Sequence, residues 1–368
     1  MSTRKDKFTK KDSFFMNLAF NLARDRSGLT GENPSVGCVI VKNDEIISIG
    51  QTGLKGRPHA EFNAIKSCKK NLKGSTLYVS LEPCIHYGKT PPCSNLIIKS
   101  KIKKVIFSMF DVDERTKRKS LSILRKKKII VKYGLLKNEA SKIYKQYILN
   151  KKKSLPFVVG KIAISKDNCI HSTKTKKITN IHSDSISHLL RYKSDAILIS
   201  SKTLNIDNPK LNCRLNGLEN FSPKRIILDK FLSIKKNSFI FMTSKKKNTV
   251  IFYCKGSSKK ISLLKKKGII LINLKLNKHG HFHLKTVLKK IFSIGCRNLL
   301  VEGGKNLTNN FLKFNLFDEF YLFKSKKNSY GKNKLNITSE LKLLSNKYKN
   351  KSKLNSFTND DVIEIYTK

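Results

Sequence analysis

The chain has 368 residues, and 77 Lys and Arg against 25 Asp and Glu leave a formal charge of +52. That length is long for one hydrophobic core and suits two domains of roughly 100–200 residues each, with a 39% hydrophobic share to fill them. No run approaches the ~18–20 apolar residues of a membrane-spanning helix, so no membrane partner is expected, and the polar first twelve residues lack the apolar stretch of a secretory signal, so the expected location is the cytoplasm.

Residues 12–26 read as an amphipathic helix, with Asp12 as its cap, Phe14, Phe15, Leu18, Ala19 and Leu22 on one face and Gly28 beyond its end. Residues 36–41 and 45–52 read as strands joined by a turn at Asn43 and Asp44. A helix follows over 59–70, with Phe62 and Ile65 facing inward. Residues 75–81 form a strand that runs into Glu82, Pro83 and Cys84. Residues 93–99 are helical and 104–109 extended. A helix, a strand near 129–132 and a helix from 137 to about 150 complete a first half in which strands alternate with helices, an α/β layered domain. The lysine-rich link 150–156 sets the boundary, giving domains 1–150 and 151–368. The second half has strands at 157–164, 196–200, 225–228, 250–253, 269–271 and 298–302. Helices are expected at 183–192, 284–291 and 307–314. It is also α/β, and its Lys/Asn/Ser-rich tail after about 324 carries no clear pattern.

The chemistry concentrates in the first half. Pro58-His59-Ala60-Glu61 opens a helix, Glu82-Pro83-Cys84 ends a strand, and Pro91-Pro92-Cys93 opens the next helix. Zinc favours nitrogen and thiolate ligands, and a catalytic site keeps three protein ligands and one position for water. His59, Cys84 and Cys93 supply the three, and helix N-termini help keep the thiols ionised. Glu61, two residues past His59, can aim a carboxylate at the water without ligating the metal, taking its proton and passing it to departing ammonia. Zinc deaminases of nucleobases use this arrangement. In the second half, Leu299-Leu300-Val301-Glu302-Gly303-Gly304 is a strand ending in two glycines before a helix. Such a turn admits a phosphate to a helix N-terminus, or is an ordinary turn.

The charge of +52 invites a nucleic-acid partner. The lysines, however, fall in short runs along the whole chain (126–128, 151–153, 245–247, 265–267), beside abundant Asn, Ile and Phe and no Trp. A dedicated binding surface would gather its charge on one element. The charge therefore reads as compositional drift, and nucleic acid is not the expected partner. Most of the eight cysteines read as small apolar residues, Cys84 and Cys93 excepted.

The run from Glu82 to Cys93, with His86, Gly88, Lys89 and Thr90 inside it, resembles the bifunctional riboflavin-biosynthesis deaminase/reductase family. So do Asn33-Pro34-Ser35-Val36-Gly37-Cys38 and His59-Ala60-Glu61. Eight residues separate Cys84 from Cys93 where most zinc deaminases have two, and the long insert is characteristic of this family. The resemblance implies a cytidine-deaminase-like α/β/α domain followed by a dihydrofolate-reductase-like α/β domain. It implies Zn2+ and NADPH as cofactors and a small pyrimidine phosphate as substrate, deaminated first and then reduced from ribosyl to ribityl. Asn33, His86 and Lys89 would contact substrate in the first domain. In the second, Arg191, Leu211, Arg214 and Glu302 would contact substrate, the two arginines at its phosphate. Ala163, Thr203, Asp207, Gly303 and Gly304 would contact the cofactor. Deaminases of this fold commonly associate, so a homo-oligomer is one expectation. The chain departs from the family pattern at Ser165-Lys166-Asp167-Asn168, at Lys177 and at Asp111-Val112-Asp113-Glu114. A deaminase with a degenerate reductase half, a transfer-RNA deaminase and a zinc-stabilised basic binding module are the competing readings. The insert and the second domain argue against the RNA enzyme, and Glu61 has no use in a structural zinc site.

Overall fold

Runs of Val, Ile, Leu and Phe pair in register in the computed structural model, which describes residues 7–88, 90–171, 177–245, 248–354 and 361–368. Contacts divide the chain into two units, Met1–Ser154 and Leu155–Lys368.

The first unit holds a five-stranded sheet of β1 (Gly37–Lys42), β2 (Glu45–Gln51), β3 (Thr76–Leu81), β4 (Lys104–Met109) and β5 (Ile130–Tyr133), in the order β2-β1-β3-β4-β5. β1 pairs antiparallel with β2 and β3, and its hairpin turns on Asn43 and Asp44, both at positive φ. β3, β4 and β5 are parallel, so each junction needs a crossover. Helices α3 (Cys93–Lys99) and α4 (Lys119–Lys126) supply them. Helix α1 (Lys10–Asp25) packs on β1 and β3, and α2 (Ala60–Ser67) packs on β2 and β1. Both faces of the sheet are thus covered, and β1 and β3 are buried along nearly their whole length.

Local details differ from the expectation. Thr9, not Asp12, caps α1; Asp12 is the third residue of a reciprocal capping box and also accepts the Tyr78 hydroxyl at 2.7 Å. That phase turns Phe15, Met16, Ala19, Phe20 and Ala23 inward and leaves Phe14 63% exposed. Phe62, expected inward, lies at the surface, and α2 stops at Ser67. The helix expected over 137–150 is two, α5 (Lys137–Ile143) and α6 (Lys145–Lys153), meeting at Tyr144, whose buried hydroxyl is 2.6 Å from Ser80 Oγ.

The second unit is built on a nine-stranded sheet. Its strands are β6 (Phe157–Ile164), β7 (Ala196–Ser200), β8 (Lys224–Leu228), β9 (Thr249–Tyr253), β10 (Ile270–Asn273), β11 (Asn298–Val301), β12 (Glu319–Lys324), β13 (Asn350–Lys353) and β14 (Val362–Thr367). The order is β10-β9-β8-β7-β11-β6-β12-β14-β13. Pairing is parallel from β10 to β12, and β14 and β13 return antiparallel. Chain order reverses where β11 inserts between β6 and β7. Ligands of open parallel sheets collect beyond the carboxyl ends of strands at such a reversal. Helix α7 (Ile181–Tyr192) precedes β7, α8 (Ser201–Asp207) follows it, and α9 (Phe239–Thr243) and α10 (Ser258–Lys266) flank β9. Helices α11 (Leu284–Ser293) and α12 (Lys305–Lys313) flank β11, and α13 (Thr338–Lys347) leads into β13. The tail that showed no pattern in the sequence thus completes the sheet edge.

Candidate active sites

Three loops of the first unit converge at the carboxyl end of β3. His59 is the N-cap of α2, Cys93 opens α3, and Cys84 lies on the segment leaving β3. His59 Nδ1 is 3.5 Å from Cys84 Sγ and 3.4 Å from Cys93 Sγ, and all three donor atoms lie within 4.8 Å of one another. A tetrahedral zinc with bonds of about 2.0–2.1 Å to nitrogen and about 2.3 Å to sulfur separates such donors by about 3.6 Å, so the set has the spacing of three corners. The Cys93 N–H donates to Cys84 Sγ at 3.3 Å. The Cys84 thiol is brought down to about 4, first by the hydrogen bond from the Cys93 thiol and then by His59 and that N–H; Cys93 is correspondingly pushed up. Glu61, in the first turn of α2, is 4% exposed, and burial together with the Cys84 anion raises its carboxyl to about 7.

The helix bearing His59 and Glu61 is placed by a glycine. A Cβ at Gly50 of β2 would run into the Ala60 carbonyl and the Ala64 backbone, so only glycine lets α2 lie this close to the sheet. Gly50→Ala is expected to shift α2, to destabilise the unit by about 1–3 kcal/mol and to weaken zinc retention; urea denaturation and metal content check it.

Around this centre, Asn33 donates its amide to the Gly56 carbonyl at 2.9 Å, and His86 Nδ1 is 3.1 Å from Thr116 Oγ1. Arg57 reaches the segment between Cys84 and Cys93 by donating to Thr90 Oγ1 at 2.7 Å. Lys89 lies outside the described residues. Sequence reasoning missed Glu82, a buried carboxylate just ahead of Cys84. Its only signal was membership of the Glu-Pro-Cys run.

In the second unit, a cavity of about 1230 Å³ opens where β11 lies between β6 and β7. Ala163, Thr203, Asp207, Leu211, Glu302, Gly303 and Gly304, all expected site residues, line it. Lysines 161, 177, 202, 230, 305 and 313 and histidines 171, 279 and 281 line it too, against the acids Asp207, Asp229 and Glu302. The volume exceeds the ~300–1,000 Å³ of a common single-ligand pocket, and the basic excess suits phosphorylated ligands. A Cβ on Gly303 would meet Leu307 at 2.9–3.1 Å, so this glycine admits α12. At Gly304, the N-cap of α12, the nearest atom would be Thr203 Oγ1 at 3.6 Å, which leaves the helix start open to a ligand.

The two arginines expected at a phosphate are not in the cavity lining. Arg191 instead forms a two-pronged ion pair with Glu302, Nε to Oε1 at 3.0 Å and Nη2 to Oε2 at 2.9 Å, and its Nη1 donates to the Asn212 carbonyl at 3.2 Å. Burial works against both charges. Each nevertheless keeps the other ionised: Arg191 is held above its ordinary value and Glu302 below. A phosphate would have to compete with Glu302 for this guanidinium. Arg214 is exposed and donates to Asn212 Oδ1 at 3.0 Å.

Comparison with known proteins covers both units. Residues 9–109 match the family of the cytidine and deoxycytidylate deaminase zinc-binding region, and residues 156–325 match the RibD C-terminal domain. The riboflavin biosynthesis protein RibD of Aquifex aeolicus is 35% identical over 314 residues, 85% of this chain and 86% of that protein. That of Bacillus amyloliquefaciens is 35% identical over 315 residues, 85% and 84% of the two chains. The solved structure of Acinetobacter baumannii RibD aligns with a TM-score of 0.81 at 26% identity, over 97% of this chain and 99% of the other. The diaminohydroxyphosphoribosylaminopyrimidine deaminase/5-amino-6-(5-phosphoribosylamino)uracil reductase of Thermotoga maritima aligns at 0.79 with 28% identity, over 97% and 98%.

Proposed function

Since the chain belongs to the RibD family of bifunctional riboflavin-biosynthesis deaminase/reductases, we propose that its two sites act in turn on one pyrimidine phosphate, through the residues described above. The first reaction is hydrolysis of the 2-amino group of 2,5-diamino-6-(5-phosphoribosylamino)pyrimidin-4-one. The second is NADPH-dependent reduction of the ribosyl group to ribityl. The match of both halves favours this over a deaminase with a decayed second domain, and the small-molecule family favours it over a transfer-RNA enzyme.

The observation that carries the deaminase reading is the convergence of one imidazole and two thiols beside a buried carboxylate. His59, Cys84 and Cys93 would hold zinc, which when bound polarises the attacking water. Glu61 takes a proton from that water and delivers it to the amino nitrogen that leaves as ammonia. Burial is what gives its carboxyl a proton affinity near neutrality, so it both accepts and gives. Asn33 and His86 hold the base and its substituent, and Lys89 belongs to the same reading.

In the second unit Ala163, Thr203, Asp207, Gly303 and Gly304 would hold NADPH, which supplies the hydride. Leu211 and Glu302 face the substrate from the same cavity. Arg191 acts through Glu302, and the exposed Arg214 remains available to the phosphate. Glu302→Gln keeps the shape but removes the charge facing Arg191; it is expected to raise KM of the reductase about tenfold or more and leave ammonia release unchanged. Kinetics on the deaminated intermediate check this. Among the described residues no helix is long and apolar enough to cross a membrane. The reading includes a cytoplasmic location, where NADPH is available, and self-association, which sedimentation of the zinc-loaded chain reads directly.

A further inference from the structure

We propose that Glu82 is a positioning residue of the deaminase, setting the substrate contact of His86 through the loop of residues 110–120. This rests on the reading of His86 as a substrate contact.

Glu82 is 3% exposed and follows β3 directly, two residues before Cys84. Its carboxylate is spent on a single loop. Oε2 accepts the N–H of Asp111 at 3.1 Å and of Arg118 at 3.0 Å, and Oε1 accepts the N–H of Ser120 at 3.2 Å and the Ser120 hydroxyl at 2.8 Å. Both ends of the loop are therefore tied to one side chain. Arg118 holds φ +62, a left-handed conformation unfavourable for a residue with a Cβ, and its N–H is one of those that Glu82 satisfies. Between the two ends, Thr116 is fully buried. Its N–H donates to the Asp113 carbonyl at 2.9 Å, and its Oγ1 is 3.1 Å from His86 Nδ1. Among the described residues, His86 Nε2 has no hydrogen-bond partner, which leaves that nitrogen for the substrate.

Packing alone does not account for this carboxylate. An apolar side chain would fill the same place without the cost of burying a charge, and it would leave three backbone N–H groups and a hydroxyl unsatisfied. The loop has other anchors. Tyr147 donates to Asp111 Oδ1 at 2.9 Å, and Asp113 is paired with Arg115 and Lys151. Loss of Glu82 is therefore expected to loosen the loop rather than unfold the unit.

The test is steady-state deamination by the zinc-loaded full chain, with metal content measured for each variant. In Glu82→Gln, the amide oxygen can keep the Asp111 and Arg118 bonds, and the amide nitrogen can donate to Ser120 Oγ in a reversed bond, so the Ser120 N–H and the Ser120 hydroxyl proton lose their acceptor. KM is expected to rise about 3–5-fold in Glu82→Gln and Thr116→Val and more than about 10-fold in Glu82→Ala, with kcat within about twofold and zinc retained. The double variant Glu82→Gln/Thr116→Val is expected to be no worse than the worse single one, because both act along one route. If Glu82→Ala does not fold, Thr116→Val and Glu82→Gln carry the test. A KM that rises in His86→Ala but in neither of those two overturns the proposal alone. A KM unmoved in His86→Ala removes the substrate role of His86 and the proposal with it. Loss of zinc and of kcat in Glu82→Gln, or additive effects in the double variant, also overturns it.

Discussion

Glu61→Gln is expected to keep its zinc and to lower kcat for ammonia release by about 10²–10⁴-fold. Glutamine fills the same space at the start of α2 and can still offer one oxygen, so the ligand geometry of His59 and the two cysteines should persist. What it cannot do is carry a proton from water to the leaving nitrogen. Burial makes the native carboxyl suited to that transfer, raising it to about 7. NADPH oxidation with the already deaminated intermediate should be unchanged, because Glu61 and the cavity belong to separate units. Retained ammonia release with full zinc occupancy would remove Glu61 from its role.

Cys84→Ser should lose both metal and deamination, by at least about 10³-fold, while the reductase remains active. Cys84 is engaged by both of the other proposed ligands. Its sulfur accepts the Cys93 N–H, neighbours His59 Nδ1, and is the thiol most strongly driven to the anion. A serine hydroxyl in its place is far harder to ionise and a poor match for zinc. Metal content together with separate assays of the two half-reactions decides the matter. A zinc-replete Cys84→Ser that still deaminates would remove Cys84 from the ligand set.

The residues proposed to carry the deaminase chemistry were legible because their chemistry is local. His-x-Glu at a helix start and Pro-Cys after a strand or before a helix are short patterns, and the strands that place them are dense in β-branched residues. Phe14 and Phe62 were misread as core because helical period alone does not fix phase; the capping box at Thr9 and the close approach of α2 over Gly50 do. Strand β14, which pairs with β12 and β13, is dense in β-forming residues, but the lysine and asparagine around it hid that pattern. Glu82 and the Arg191–Glu302 pair depend on partners 29–38 and 111 residues away, and no local pattern signals them. The expectation that Arg191 binds the substrate phosphate took no account of its ion pair with Glu302 for that reason.

The most direct test of the whole account is mass spectrometry of the products made by the zinc-loaded chain from the diaminopyrimidinone phosphate, with and without NADPH. Without the reductant, the product should have exchanged one amino group for oxygen, with ammonia released. With it, the same product should gain two hydrogens at the sugar. Unchanged substrate in both reactions, from folded and metal-replete protein, would contradict the assignment of the two sites.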